Sequence, residues 1–508
     1  MAITLGLVEA VDDNGVYVTM PGSKGVLRGP YKSLSTVAAG TTVLVASTDD
    51  GEQVVVGPAD GGEGVYNVRA SGATGDGVTD DTTALQAAFD AAAGAVVVMP
   101  PGTYKVTGAL TMSEDTQLVG TGATLTCSLG SGGSGVLKLA DGVTVQGLAL
   151  VNTHATGGNW AISTNSASGL LVSDCVITGA WLIGLAVDYG SDVRVVGNRF
   201  EGIGMLNGSA TPGSACALHE TENVTILGNT FTECLQDAVY VAESKNVTVT
   251  GNTVLDQPEG VQVRVTCESV TVSDNTFTIK GSSVVQSFGV LVQTDAVDVV
   301  VSGNTFRTSA GTADPAAGVR IDNKSHRAVV SGNTFRGDFD YGVHLGTGAG
   351  GGTESIGCVI SGNTFHDLSF RAIAVGAGEN YAVIANNQIT GGGDRAVTVA
   401  ADFCTVTGNS VKNNVGNYGF TVSGDFNSIT GNVANDVINS AGFLISGTDN
   451  SVSGNVATGN QTYGIEETGD RNVIVGNNCG SNDSVTADIV WPGGTSTVIA
   501  NNIGRVSP

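Results

Sequence analysis

The sequence predicts an all-β protein: a right-handed parallel β-helix of about 16 coils, entered through a short helical cap and preceded by a small N-terminal β-barrel. Three observations predict it. The stretch Val299-Val300-Val301-Ser302-Gly303-Asn304-Thr305-Phe306 returns in close copies, and its Gly-Asn pair, or a near variant, places Asn at 198, 229, 252, 275, 304, 333, 363, 387, 409, 432, 455, 477 and 502. These steps of 22 to 31 residues are the period of a solenoid. Within each repeat Val, Ile and Thr alternate with polar residues, which is strand patterning, and the repeat is too short for a strand plus a helix. Finally, aromatic residues make up 5% of a chain that is 41% hydrophobic, as expected of a narrow interior with no room for large rings.

Each coil is then three brief strands and three turns, with neighbouring coils bonded through their backbones about 4.8 Å apart. The repeated Asn falls at a corner. There its amide can bond to its equivalents above and below, and Asn or Gly tolerates a left-handed backbone.

The chain has 508 residues, with 21 Lys and Arg against 47 Asp and Glu, a net charge of −26. Such acidity argues against binding nucleic acid or an anionic membrane. No apolar run is long enough for a membrane span, and Met1-Ala2-Ile3-Thr4 opens neither a basic segment nor a secretory core, so no signal peptide is expected. The eight cysteines are scattered without metal-site spacing. They read as small buried hydrophobes of a reducing compartment, with disulfides as the alternative. No metal and no cofactor are expected.

Residues 1–60 lack the ladder and read as short strands with turns at Asp13-Asn14-Gly15, Pro21-Gly22-Ser23 and Asp49-Asp50-Gly51, a small barrel. Gly57-Pro58-Ala59-Asp60-Gly61-Gly62 reads as a hinge, and residues 61–108 as linker and cap. In the cap, Tyr66-Asn67-Val68-Arg69 leads to Gly75-Asp76-Gly77-Val78-Thr79-Asp80-Asp81 and then to Val96-Val97-Val98-Met99-Pro100-Pro101-Gly102-Thr103-Tyr104. Thr79 or Asp80 can cap a helix starting near Asp81, with Ala84, Leu85, Ala88 and Phe89 on one face, plugging the open end of the solenoid. Asp76, Asp80 and Asp81 are assigned to this turn and cap rather than to catalysis. Residues 109–508 are the β-helix, its first coils marked by Gly120, Gly147 and Asp174 in the ladder position. The last coil lies almost at the final residue, so another element is expected to cover that end.

The cap motif and the coils closely resemble the opening of the pectate-lyase-like superfamily of β-helical proteins, above all its phage tailspike and depolymerase branch. Gly40-Thr41-Thr42-Val43-Leu44-Val45-Ala46-Ser47 with Gly51-Glu52-Gln53-Val54-Val55-Val56-Gly57 resembles the OB-like modules of phage baseplate and tail proteins. The resemblance implies a homotrimer that attaches to other tail or baseplate proteins through residues 1–60, assembles in the bacterial host cytoplasm and sits in the virion tail. It transfers no mechanism: the Gly-His-Gly of the polygalacturonase branch is absent, only Arg320-Ile321-Asp322-Asn323-Lys324 is faintly like its Arg-x-Lys, and no calcium-type Asp cluster of a pectate lyase stands out.

Long inserts at 201–214, 278–288, 307–317 and 346–355 make 184–355 the expected functional zone, since loops on a rigid scaffold carry recognition. Stacking the strands after those inserts, with Val290 and Val292 inward, gives two outward rows. One contains Asp188, His219, Ala242, Arg264, Gln293 and Asp322; the other Ala217, Tyr240, Gln262, Leu291, Arg320 and His344. Glu220, Glu243, Thr266 and Asp295 follow at the strand ends. Glycoside hydrolysis needs two carboxyl groups, about 5 Å apart for retention and about 6.5 to 9.5 Å for inversion. Glu220 with Glu243 is an adjacent pair and Glu243 with Asp295 a pair two coils apart, so the candidate catalytic residues are Glu243, Asp295, Glu220 and Asp322. Asp188, His219, Tyr240, Arg264, Arg320, His344 and Trp181 are candidate substrate contacts, the arginines and His344 for an anionic sugar, Trp160, Trp181, Tyr189 and Tyr240 for stacking on sugar rings. Phe288, Tyr341, Tyr418 and Tyr463 recur with the coil and read as a structural stack. The expected partner is a bacterial surface polysaccharide, bound and cleaved by hydrolysis or elimination. The alternatives are a non-catalytic virion structural or receptor-binding protein and a free polysaccharide lyase or C5-epimerase.

Overall fold

A buried amide needs partners for its donor and its acceptor, and in the computed structural model of the chain the repeated Asn residues supply them to one another. The structure describes residues 2–12, 15–19, 27–33, 42–47, 53–58, 64–130, 135–154, 158–204, 213–282, 287–309, 316–346, 355–483, 487–491 and 496–507. They fall into two compact units, Met1–Leu235 and Gln236–Pro508.

In the second unit the ladder runs without a break from Asn252 to Asn502. Each Asn donates its backbone N–H to the side-chain oxygen of the next, as Asn275 does to Asn304 and Asn304 to Asn333, both at 2.9 Å. The amide nitrogen reaches the same oxygen and a strand carbonyl, Val272 O in the case of Asn304. The left-handed residue is not the Asn but the Gly before it, as at Gly303 with φ 66°. In the first unit Asn198 and Asn229 make the same contact. A second column of the same kind, Asn427, Asn450 and Asn472, was not expected.

Three parallel sheets wrap the interior, each strand in register with its counterpart one coil on, as Thr271, Val272 and Ser273 are with Val300, Val301 and Ser302 and Thr276 to Lys280 with Thr305 to Ser309. This is the right-handed parallel β-helix that the repeat predicts. Its interior departs from expectation: it holds large rings. Phe277, Phe306, Phe335 and Phe365 are fully buried and stack at 4.8 to 4.9 Å between centroids. Room for them comes from Gly260, Gly289, Gly318 and Gly342 on the opposing strands. A Cβ at Gly289 would stand 2.4 Å from the Phe306 ring, at Gly318 and Gly342 2.5 Å from Phe335 and Phe365, and at Gly260 2.9 Å from Phe277.

In the first unit the strands β1 (Ala2–Asp12), β2 (Gly15–Thr19), β3 (Leu27–Ser33), β4 (Thr42–Ser47) and β5 (Gln53–Pro58) pair in the closed order β1-β2-β3-β5-β4, around Val8, Val16, Val18, Val43 and Val45. Most of the turn residues named for this segment, and of the hinge, lie outside the described residues. Helix α1 (Thr82–Ala91) buries Leu85, Ala88 and Phe89. Its N-cap position is Asp81, one residue later than expected, and the Asp81 carboxylate instead accepts from the backbone N–H groups of Thr74 (2.6 Å) and Gly75 (3.1 Å). Asp80 accepts from Thr82 and Thr107, and Asp76 from Val78 and Thr79. These hydrogen bonds hold both carboxyls below their usual range. The coils also begin earlier than residue 109: Val65–Asn67 and Val96–Val98 already pair in parallel with each other and with Gln117–Val119. All eight cysteines are free and buried.

Candidate functional site

Register decides which outward side chains meet, because the pleat sends alternate residues to opposite faces. In the second unit Tyr240 pairs with Gln262, Gln262 with Leu291, Leu291 with Arg320 and Arg320 with His344. Ala242 pairs with Arg264 and Arg264 with Gln293, and Asp322 follows by its N–H bond to Val292 O. From Tyr240 and Ala242 onward, the rows drawn from alternation are thus rows in space. The inserts that were expected to flank them lie largely outside the described residues.

Asp322 is the most unusual group on this face. It is 2% exposed, its Oδ2 lies 2.9 Å from Arg320 Nε, and its Oδ1 is buried with no hydrogen-bond partner. Burial pushes its pKa up, opposed by Arg320 and, more weakly, by Arg264. Arg264 in turn has a buried Nε without a hydrogen-bond partner. His344, 8% exposed, stacks on Tyr341 at 4.3 Å. Burial, reinforced by Arg320 and Arg371, lowers its pKa to about 4, so it is neutral near pH 7. Tyr240 stays a neutral phenol, its pKa raised by burial. The cluster therefore presents two arginines, a carboxyl biased toward its protonated form, a neutral imidazole and a phenol. Under-bonded buried polar groups of this kind are costly, and they collect where a ligand completes them.

The turn carboxylates behave differently. Glu243 and Asp295 are exposed and hold left-handed backbone, φ 52° and 59°, as Thr266 does between them. Backbone bonds Glu243 N to Val265 O and Thr266 N to Thr294 O align the three on successive coils, so Glu243 and Asp295 are two coils apart as anticipated. Asp295 N also donates to Asn323 O at 3.0 Å, which sets Asp295 one coil before Asp322. One coil spacing and a two-residue lateral step put these two residues roughly 8 Å apart.

Sequence reasoning missed a buried acidic pair. Asp237 and Glu259, 1% and 3% exposed, are register partners on adjacent coils. Burial raises Glu259 to about 7 despite a hydrogen bond with Asp237. The signal was present at the strand starts, where Phe288, Ala317 and Tyr341 occupy the same column. The proposed stack through Phe288, Tyr341, Tyr418 and Tyr463 is replaced by other partners: Tyr341 packs on His344 and Phe370, and Tyr418 donates to Glu466.

In the first unit Asp188 pairs in register with His219, whose Nδ1 lies 4.0 Å from the Asp188 carboxylate and whose Nε2 lies 4.0 Å from Glu220. Tyr189 meets His219 edge-on. Burial raises Asp188, with His219 opposing. Glu220 is an exposed left-handed turn residue like Glu243. It belongs to the first unit and Glu243 to the second, so their pairing stays an expectation. Trp181 must be withdrawn as a sugar contact: it is 1% exposed and its indole N–H donates to Thr178 O at 2.8 Å, so its ring is wall rather than surface.

Residues 65–283 match the family described as rhamnogalacturonase A/epimerase, pectate lyase-like, and residues 317–479 match the right-handed β-helix region. A segment of 87 residues is 42% identical to mannuronan C5-epimerase AlgE6 of Azotobacter vinelandii, covering 15% of this chain and 9% of that protein. Alginate lyase 7 of the same organism matches at the same identity and coverage. The chain thus spans about a tenth of the length of these curated relatives. Among solved structures, a tailspike protein mutant of E. coli bacteriophage HK620 in complex with pentasaccharide superposes with a TM-score of 0.58 at 14% identity, over 78% of this chain and 81% of that one. Pre-mature bacteriophage phi29 gene product 12 gives 0.51 at 13% identity, over 87% and 72%. The fold is the pectate-lyase-like right-handed β-helix, with tailspikes among its structural neighbours.

Proposed function

We propose that the protein is a phage tail protein that binds a bacterial surface polysaccharide through the second unit and cleaves it by hydrolysis. The observation that carries this reading is the buried Asp322, paired with Arg320 through one carboxylate oxygen and without a hydrogen-bond partner at the other. Asp322 is the general acid that protonates the leaving glycosidic oxygen: burial raises its pKa and so favours the protonated form, against the opposing charge of Arg320. Asp295, exposed to water one coil away, is the base that activates the attacking water. Their backbone positions lie roughly 8 Å apart by coil and residue spacing, and inversion asks for carboxyl groups about 6.5 to 9.5 Å apart. Arg264 and Arg320 take the carboxylate or other acidic group of the sugar, and Tyr240, neutral at this site, donates to a ring hydroxyl. Glu243 stands at the rim. The OB-like segment 1–60 attaches the protein to other tail or baseplate components, and the assembled form is a homotrimer, as the tailspike resemblance implies.

A second reading, elimination or C5 epimerisation of a uronate, is favoured by the match to the mannuronan C5-epimerase and the alginate lyase. In that chemistry the arginines neutralise the uronate carboxylate and Tyr240 or His344 moves the C5 proton. Incubation with capsule or cell-wall glycan separates the readings. New reducing ends without ultraviolet absorbance mean hydrolysis; absorbance of an unsaturated sugar means elimination; a changed C5 configuration by proton NMR with neither means epimerisation; binding with none of the three means a receptor-binding protein. Asp322→Asn and Asp295→Asn should each abolish cleavage and retain binding, and full activity in both would reject the site.

A further inference from the structure

The first unit contains a groove that the reading above does not use. It has a volume of about 470 Å³ and is lined by Lys138, Trp160, Ser163, Asn165, Asp188 and Tyr189, with Leu139 and Thr164 completing it. The volume lies in the range of small-molecule sites.

Strand register explains how these residues come together. Lys138, Ser163 and Ala186 stand on successive coils in one outward row, and Asn165 and Asp188 in the next. The floor therefore joins the short Ser163, Asn165 and Asp188 with the longer Lys138. Two aromatic residues, Trp160 at a strand start and the half-exposed Tyr189 at a left-handed turn, bound it. Flat apolar walls over a floor of polar groups suit the faces of a sugar ring.

The two neighbouring tryptophans differ in a way that bears on binding. Trp181 is pinned by its indole hydrogen bond to Thr178. Trp160 lines the groove, yet its indole nitrogen is buried with no hydrogen-bond partner. A buried donor left unmet costs about 1–3 kcal/mol, and no polar contact fixes the ring, so it is held by packing and can tilt toward a bound acceptor. The charged residues are of both signs, Lys138 and Asp188, with His219 beside Asp188. Such a set matches hydroxyls, which donate and accept. It does not favour a carboxylate or phosphate, which Asp188 would repel.

We propose that this groove is a glycan-binding subsite for a neutral hexose unit, with Trp160 as its stacking wall, Asp188 accepting from sugar hydroxyls and Lys138 and Asn165 donating to them. It rests on the reading of the protein as a polysaccharide binder, and it extends that reading: a polymer with both neutral and acidic sugars is the matching substrate class, its acidic units going to the arginines of the second unit.

The test uses the full chain and a panel of neutral oligosaccharides of glucose, galactose, mannose and N-acetylglucosamine, with oligogalacturonate as the acidic comparison. Tryptophan emission and titration calorimetry are read together into the millimolar range. At least one neutral oligosaccharide should bind and change the emission. Trp160→Phe and Asp188→Asn should each weaken it about tenfold or more, while Trp181→Phe, which changes a wall residue outside the groove, keeps the affinity. Circular dichroism and thermal unfolding should match the parent in the groove variants. Absence of binding by every neutral oligosaccharide, affinity unchanged in both groove variants, or binding of oligogalacturonate alone in a Trp160-dependent manner would each overturn the subsite. Cleavage is scored separately by reducing ends. Loss of the groove with Asp322-dependent cleavage intact rejects this inference only, and groove binding without any cleavage rejects the catalytic reading only.

Discussion

Glu259 offers a stability prediction with a definite sign. In the unfolded chain its carboxyl titrates near 4.5, and in the folded protein burial raises it to about 7. Between those values the folded state holds a proton that the unfolded state has released, so stability falls as pH rises through this window. The contribution is fully present below 4.5 and lost above about 7. A shift of that size corresponds to roughly 3 kcal/mol, a large share of the 5–15 kcal/mol typical of a domain. Glu259→Gln keeps the shape and the hydrogen-bonding capacity and removes the titration, so no charge develops at this position as pH rises. The assay is urea unfolding by far-ultraviolet circular dichroism, parent against variant, at steps from about pH 4.5 to about pH 8. The two should agree at the acid end, and the variant should gain on the parent as pH rises, by an amount of the order just given. A parent–variant difference that is flat across the window would refute the reasoning, since the common background of exposed carboxylates cancels in the comparison.

Three further outcomes are expected. Gly289→Ala puts a Cβ 2.4 Å from the Phe306 ring and should destabilise the second unit by about 1–3 kcal/mol; adding Phe306→Leu should recover part of the loss in the same unfolding assay. Asn304→Ala removes the acceptor of two bonds from Asn275 and the donor to Val272 O and Asn333, leaving buried groups unmet, and should cost about 3 kcal/mol. By contrast Arg327→Ala breaks a bidentate pair with Asp298 that stands in water, and its unfolding midpoint should stay within measurement scatter.

The contrast between those sites also explains what was legible in the sequence. The Asn column was readable because one residue type met one backbone need at each corner, and the period of its recurrence is the coil itself. The outward rows followed from alternation, and Arg264, Asp322, Arg320 and His344 fall where counting placed them. The Phe stack was misjudged because low aromatic content was taken to mean a narrow interior. What makes the space is a paired feature, Phe two residues after the ladder Asn and Gly at the second position of the facing strand, and a pair is invisible to composition. The rank of the carboxylates was not legible either. Glu243 and Asp295 look the same in a sequence as Asp322 does, but the first two close left-handed turns in water while Asp322 is covered and wedged against Arg320. Asp237 and Glu259 escaped notice because they sit at the first position of their strands, at the edge of the alternating pattern. Trp181 failed for a related reason: a large ring near a loop is as readily wall as surface.

The most direct test of the account is the product analysis of Asp322→Asn on a polysaccharide that the parent cleaves. No new reducing ends above background are expected, with glycan binding retained and the far-ultraviolet circular dichroism spectrum that of the folded parent, because the variant loses the proton donor; its unfolding midpoint falls, since the ion pair with Arg320 is lost as well. Cleavage at the parental rate would show that the acid lies elsewhere and would contradict the assignment at its centre.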